Sequence, residues 1–147
     1  MTGWNPRNVV VGVDGSKQSG RAAETAAAIA RNHGAKLHML TVVRPPEGWW
    51  GVVGSPPPAD ALAASMERAQ RAALDSTLEQ VDTAGLEVIA SEEIGDPSSA
   101  LIEYCTRIDA DLLGVGRRGA GMVERIVLGS VADRLAHHAP CALLIVP

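Results

Sequence analysis

The sequence predicts an α/β protein: an open five-stranded parallel sheet, strand order 3-2-1-4-5, with helices on both faces. Three observations carry that expectation. Short valine- and leucine-rich runs alternate with segments of helical periodicity along the chain, as in repeated βαβ units. The runs are nearly continuous in apolar character, as strands buried on both faces require. Right-handed crossovers then leave few topologies, and the chosen order places a switch point between strands 1 and 4, where open α/β sheets bind ligands.

Val9 to Val13 is the first strand, ending in the turn cluster Asp14-Gly15-Ser16. A helix from about Lys17 to His33 follows, with Ala23, Ala26, Ala27 and Ala30 on one face and Gly34 as its stop. Leu37 to Val43 is the second strand, in which His38 alternates with apolar neighbours and is expected on the surface. Residues 44–58 break the pattern with five prolines, three glycines and the pair Trp49-Trp50. So long an irregular connection is functional or disordered. Its tryptophans read as a clasp onto the domain surface or a partner subunit, or as a lid over a bound base.

A long helix, Ala59 to Ala84, carries Leu62, Met66, Ala69, Ala73, Thr77 and Val81 as its buried stripe, with Gly85 as cap. Leu86 to Ile94 is the third strand, and its polar residues Glu87 and Ser91 suit a sheet edge. Gly95-Asp96-Pro97 starts the next helix, with Asp96 at the N-cap and Pro97 in the first turn. Leu101, Tyr104, Cys105 and Ile108 then face inward. Leu112 to Val115 is the fourth strand. A helix from Ser130 to His138, stopped by Pro140, leads into the fifth strand, Cys141 to Val146.

The 147 residues are read as a single domain, 1–147, with 46% apolar and 20% charged residues, which is globular rather than disordered. A net charge of -4 argues against non-specific nucleic-acid binding. No apolar run approaches the roughly 20 residues of a membrane span. With no leader pattern and two cysteines 36 positions apart outside any CxxC, the expectation is a cytoplasmic protein with reduced thiols. The histidines near helix ends, His33, His137 and His138, suit the helix dipole, and Cys105 and Cys141 read as small buried apolar residues.

The stretch that carries chemistry is GRRGAGMVERIVLGS, residues 116–130. Glycines let backbone amides approach an anion, and a Gly-Ser pair opening a helix adds free N–H groups and a hydroxyl. Arg118, ahead of Arg117 and Arg125, supplies the matching charge. We read this stretch as the holder of a nucleotide's phosphates. GxGxxG also occurs here, over residues 114–119, but the remaining strand ends at Pro147 without the acid a dinucleotide's ribose needs. GxxxxGK[ST] is absent. What fits is G-x2-G-x9-G-[ST], met by Gly116, Gly119, Gly129 and Ser130.

With that pattern the chain resembles the ATP-binding branch of the universal stress protein family, whose fold is Rossmann-like and similar to the adenine nucleotide alpha hydrolases. Further markers are VVVGVDGS at 9–16, Leu40-Thr41-Val42-Val43, Gly95-Asp96-Pro97 and HHAPCALLIVP at 137–147. The resemblance implies that Gly12 lies beneath the nucleotide and that Asp14 meets the ribose or a phosphate-bound metal. It implies that Val42 offers backbone groups to adenine, and that Val115, Gly116, Arg118 and Gly119 line the ribose and phosphates. Gly129, Ser130 and Val131 would present amides and a hydroxyl to the phosphate chain. ATP is the implied cofactor, with Mg²⁺ held mainly by phosphates and water.

No nucleophile-and-base pair is recognisable, so no catalytic residue and no protein metal site is assigned. The expected function is a regulatory ATP-binding protein of the stress response with at most slow hydrolysis. The alternatives are a nucleotide-free dimeric interaction module and an adenylyl- or phosphoryl-transfer enzyme. Because an apolar edge strand is seldom left bare, two copies are expected to pair through Cys141–Val146.

Overall fold

Nine elements follow one another in a computed structural model that describes residues 3–44, 59–118 and 128–147, apart from the side chains of residues 59–63. They are β1 (Asn8–Gly12), α1 (Lys17–His33), β2 (Lys36–Val43), α2 (Ala59–Gln80), β3 (Val88–Ile94), α3 (Pro97–Ile108), β4 (Leu112–Gly116), α4 (Ser130–His138) and β5 (Ala142–Val146). All strand pairs are parallel, in the order β3-β2-β1-β4-β5. This is the expected sheet. The Trp49-Trp50 loop, the Leu62 side chain, Gly119 and Arg125 lie outside what the structure describes.

Strand alternation sorts the core into two layers. Val9, Val11, Leu37, Met39 and Leu112 point to the face covered by α1 and α2. Val10, Leu40, Leu113 and Val115 point to the face covered by α3 and α4. The buried face of α1 is Ala22, Ala23, Ala26, Ala27 and Ala30, side chains small enough to bring the helix axis close to the sheet. Gly34, at φ 65, takes up the left-handed turn that ends it. Asp96 caps α3 by accepting from Ser99 N at 3.0 Å, with Pro97 in the first turn, as expected.

Four expectations are corrected. His38 is 6% exposed, because β2 is an inner strand whose two faces are both covered, so alternation does not lead to solvent. Helix α2 ends at Gln80, before Gly85, because Asp82 Oδ1 accepts Ala84 N at 3.0 Å and turns the chain early. Its stripe is Met66, Gln70, Ala73, Leu74 and Thr77; Ala69 is exposed. Gln70 takes that place because its amide donates to the Glu93 carbonyl of edge strand β3. Cys105 is buried and Cys141 half-buried, and burial pushes the Cys105 thiol up to about 12.

Helix α3 closes on Asp109, at φ 53 and ψ 54, in a conformation that costs L-residues energy. Asp109→Gly is expected to raise the unfolding free energy by about 0.5–1 kcal/mol in a urea titration. A loss instead would show that the Asp109 side chain itself contributes to the fold.

Candidate functional site

Beyond the carboxyl ends of β1 and β4 the chain parts to opposite faces of the sheet, and a crevice of about 320 Å³ opens there. Its floor is the first residues past β1. Asp14 is fixed by a compact set of bonds: its Oδ1 accepts Ser16 N at 2.9 Å and its own N–H donates to Ser19 Oγ at 3.2 Å. Ser16 in turn caps α1, its hydroxyl accepting Ser19 N at 3.1 Å. Gly15, at φ 83, makes the turn possible. The carboxylate is thereby held at the mouth of the crevice.

The crevice has two ends of different character. Leu40, Val42, Pro97 and Leu101 make an apolar wall between β2 and α3, and Gly129, Ser130, Arg117 and Arg118 make a polar one. Helix α4 opens the polar end. Its N-cap is Gly129, with no side-chain cap, so its first amides have no partner of that kind. The loop beneath is held by Arg117 N to Val146 O at 2.7 Å and Gly129 N to Arg117 O at 2.8 Å. Arg118 is only 7% exposed. Arg117 Nε is buried and meets no hydrogen-bond acceptor among the described residues. Helix-opening amides without a side-chain cap thus lie beside the buried Arg118 side chain, groups of the type that suit an anion.

Gly12, Asp14, Val42, Val115, Gly116, Arg118, Gly129, Ser130 and Val131 all line this crevice. Gly119 lies outside the described residues. Two of the glycines have steric reasons of their own. A Cβ on Gly12 would stand 3.2 and 3.3 Å from the two methyls of Leu101, the movable end of a side chain. Gly12→Ala is therefore expected to cost about 1 kcal/mol in a urea titration, with the folded state retained. A Cβ on Gly116 would strike backbone.

Sequence reasoning missed Arg44, the residue after β2, which lines the apolar end. Its guanidinium pairs with Asp96 at 2.5 Å, and Asp96 also receives Arg134 of α4 at 3.1 Å. The Ser99 amide first, then the Ser98 hydroxyl, hold the Asp96 carboxyl well below the usual carboxylate range. Nothing in the spacing marked Arg44, because its partner lies 52 positions away. Among the described residues no group of three or more His, Cys, Asp or Glu is placed to hold a metal ion. No described helix is long and apolar enough to cross a membrane.

The chain has counterparts among known proteins. A universal stress protein of Thermus aquaticus is 29% identical over 144 residues, covering 95% of this chain and 98% of that protein. The solved structure of UspA from Lactobacillus plantarum superposes with a TM-score of 0.75 at 24% identity, covering 96% of this chain and 97% of that one. A universal stress protein solved in complex with cAMP is 30% identical, with a TM-score of 0.67 and coverage of 97% and 98%. The model of the universal stress protein family matches residues 5–147, nearly the whole chain, so the chain belongs to that family.

Proposed function

We propose that the crevice binds an adenine nucleotide, ATP by preference, and that the protein acts as a nucleotide-responsive regulator with at most slow hydrolysis. The observation that carries this reading is the polar end: a helix opening on uncapped Gly129, beside Arg117 with its buried Nε. The cAMP complex of a relative gives independent support for the ligand class.

In this reading the apolar wall takes the base and the Val42 backbone meets its edge. Gly12, Val115, Gly116 and Arg118 surround the ribose and first phosphates, with Gly119. Gly129, Ser130 and Val131 offer amides and a hydroxyl to the phosphate chain. Asp14 meets the ribose hydroxyls or a phosphate-held Mg²⁺. A single carboxylate suits a magnesium ion bound chiefly through phosphate and water, which offsets nucleotide charge when present. Among the described residues lining the crevice there is no histidine or cysteine.

Thermal and urea unfolding with ATP, ADP, AMP, GTP and cAMP tests the reading. A ligand at ~100 times its Kd raises the unfolding free energy by about 2.7 kcal/mol. No stabilisation by any of the five would refute it. Product release on the order of 1 s⁻¹ or faster would make the protein an enzyme instead.

The homodimer belongs to the same proposal. Strand β5 is an edge of the sheet, and Leu143, Leu144, Ile145 and Val146 are only partly buried. A second copy pairing along Cys141–Val146 would cover them. Sedimentation should then give a species of twice the chain mass, and a monomer at micromolar concentration would exclude that pairing.

A further inference from the structure

We infer that Arg44 and Asp96 set the direction in which a nucleotide lies in the crevice, with Arg44 covering the base and Asp96 turning phosphate away; this rests on the nucleotide reading above. Arginines stand at both ends of the crevice, Arg44 at the apolar end and Arg117 with Arg118 at the polar end. Charge on the lining alone would therefore leave the orientation open.

The ion pair removes the ambiguity. Arg44 Nη2 lies 2.5 Å from Asp96 Oδ1. The other carboxylate oxygen, Oδ2, accepts from Ser99 N at 3.0 Å, Ser98 Oγ at 2.8 Å and Arg134 Nη1 at 3.1 Å. The neighbouring backbone is tied as well, Gly95 N donating to Val43 O at 3.0 Å. Asp96 is thus a fixed negative charge where β2, α3 and α4 meet. A phosphate seeking Arg44 would have to displace a carboxylate that several donors hold in place. That carboxylate offsets one of the two guanidinium charges, Arg44 and Arg134, gathered on it, whereas Arg117 Nε at the polar end meets no acceptor among the described residues. A flat, uncharged ring has no carboxylate to displace. A guanidinium whose charge is already paired still offers its planar face for stacking. The phosphates are left the opposite end, where Arg117 and the α4 amides lie. Arg44 is here a base-contacting residue and Asp96 a positioning residue acting through it.

Calorimetric titration of adenosine, AMP, ATP and inorganic triphosphate into the full chain separates base-end from phosphate-end effects. Arg44→Gln should weaken adenosine, AMP and ATP by the same factor, about fivefold. Asp96→Asn keeps the helix cap, since Asn caps about as well as Asp. It should weaken adenosine while tightening inorganic triphosphate, because Arg44 then stands as an uncompensated cation. Melting of the ligand-free variants checks folding; if Asp96→Asn fails to fold, Arg44→Gln, an exposed position, decides alone. A loss that grows with phosphate number in Arg44→Gln would make Arg44 a phosphate ligand and overturn the inference. So would unchanged adenosine binding in that variant. Wild-type protein that binds none of the nucleotides would instead overturn the nucleotide reading, and this inference with it.

Discussion

Gly116→Ala is expected to destabilise the protein by ~3 kcal/mol, the upper end of what overpacking usually costs, and to impair the crevice as well. The added Cβ would stand 2.8 Å from Gln18 Cβ, 2.9 Å from the Gln18 carbonyl carbon and 3.1 Å from Ser19 N. Two of those three atoms are backbone in the first turn of α1, and cannot swing aside as a side-chain end can. The helix start must move, and Ser19 moves with it. Since Ser19 Oγ accepts the Asp14 amide, the displacement reaches the floor of the crevice. Gly114→Ala is the matched control: same strand, same face, with nothing closer than 3.8 Å to the new methyl. Urea titration of both variants should show a large loss for position 116 and a loss below about 1 kcal/mol for position 114. Equal losses would mean that the α1 terminus yields freely, and the steric account of Gly116 would be wrong.

A bare Cα at position 116 suits close approach of a phosphate, and the structure gives it a second partner, the backbone of the first turn of α1. Spacing identifies a glycine that cannot carry a side chain without saying which neighbour forbids it. Sheet order was legible because valine-rich runs and alternating helices leave few parallel topologies. The N-cap at Asp96 was legible because capping is local. Arg44, Gln70 and His38 were not. Each is defined by a partner far along the chain: Asp96, the Glu93 carbonyl and Tyr104 respectively. Long-range polar pairing leaves no periodic trace. His38 misled most, since period-2 alternation signals solvent only in a strand with one open face.

His38 is the source of the other large expected effect, a loss of stability as the solution is acidified. Its Nε2 faces Asn8 Oδ1 at 3.1 Å, an atom that only accepts, so Nε2 carries the proton and donates. Nδ1, 2.7 Å from the Tyr104 hydroxyl, then accepts from it. This neutral tautomer bridges β1, β2 and α3 inside the core. The charged groups around it are Lys36 on β2, Glu87 before β3 and Arg107, whose guanidinium lies 5.2 Å from the centre of the Tyr104 ring. Burial first, then the Lys36 charge, pull the His38 pKa below its ordinary value, with Glu87 opposing. The unfolded chain therefore binds a proton at higher pH than the folded one. Stability is complete above the ordinary value of about 6.5 and is lost as pH falls below it, until the folded state also protonates. Unfolding free energy should fall between about pH 7.5 and about pH 5.5 in wild type, and this part of the fall should be missing in His38→Gln. Tyr104→Phe should cost about 1–3 kcal/mol at the higher pH, because Nδ1 then loses its donor in a buried place. It should also weaken the pH dependence, since a lone buried acceptor gains more from binding a proton. An identical pH profile for wild type and His38→Gln would exclude His38 as the titrating group.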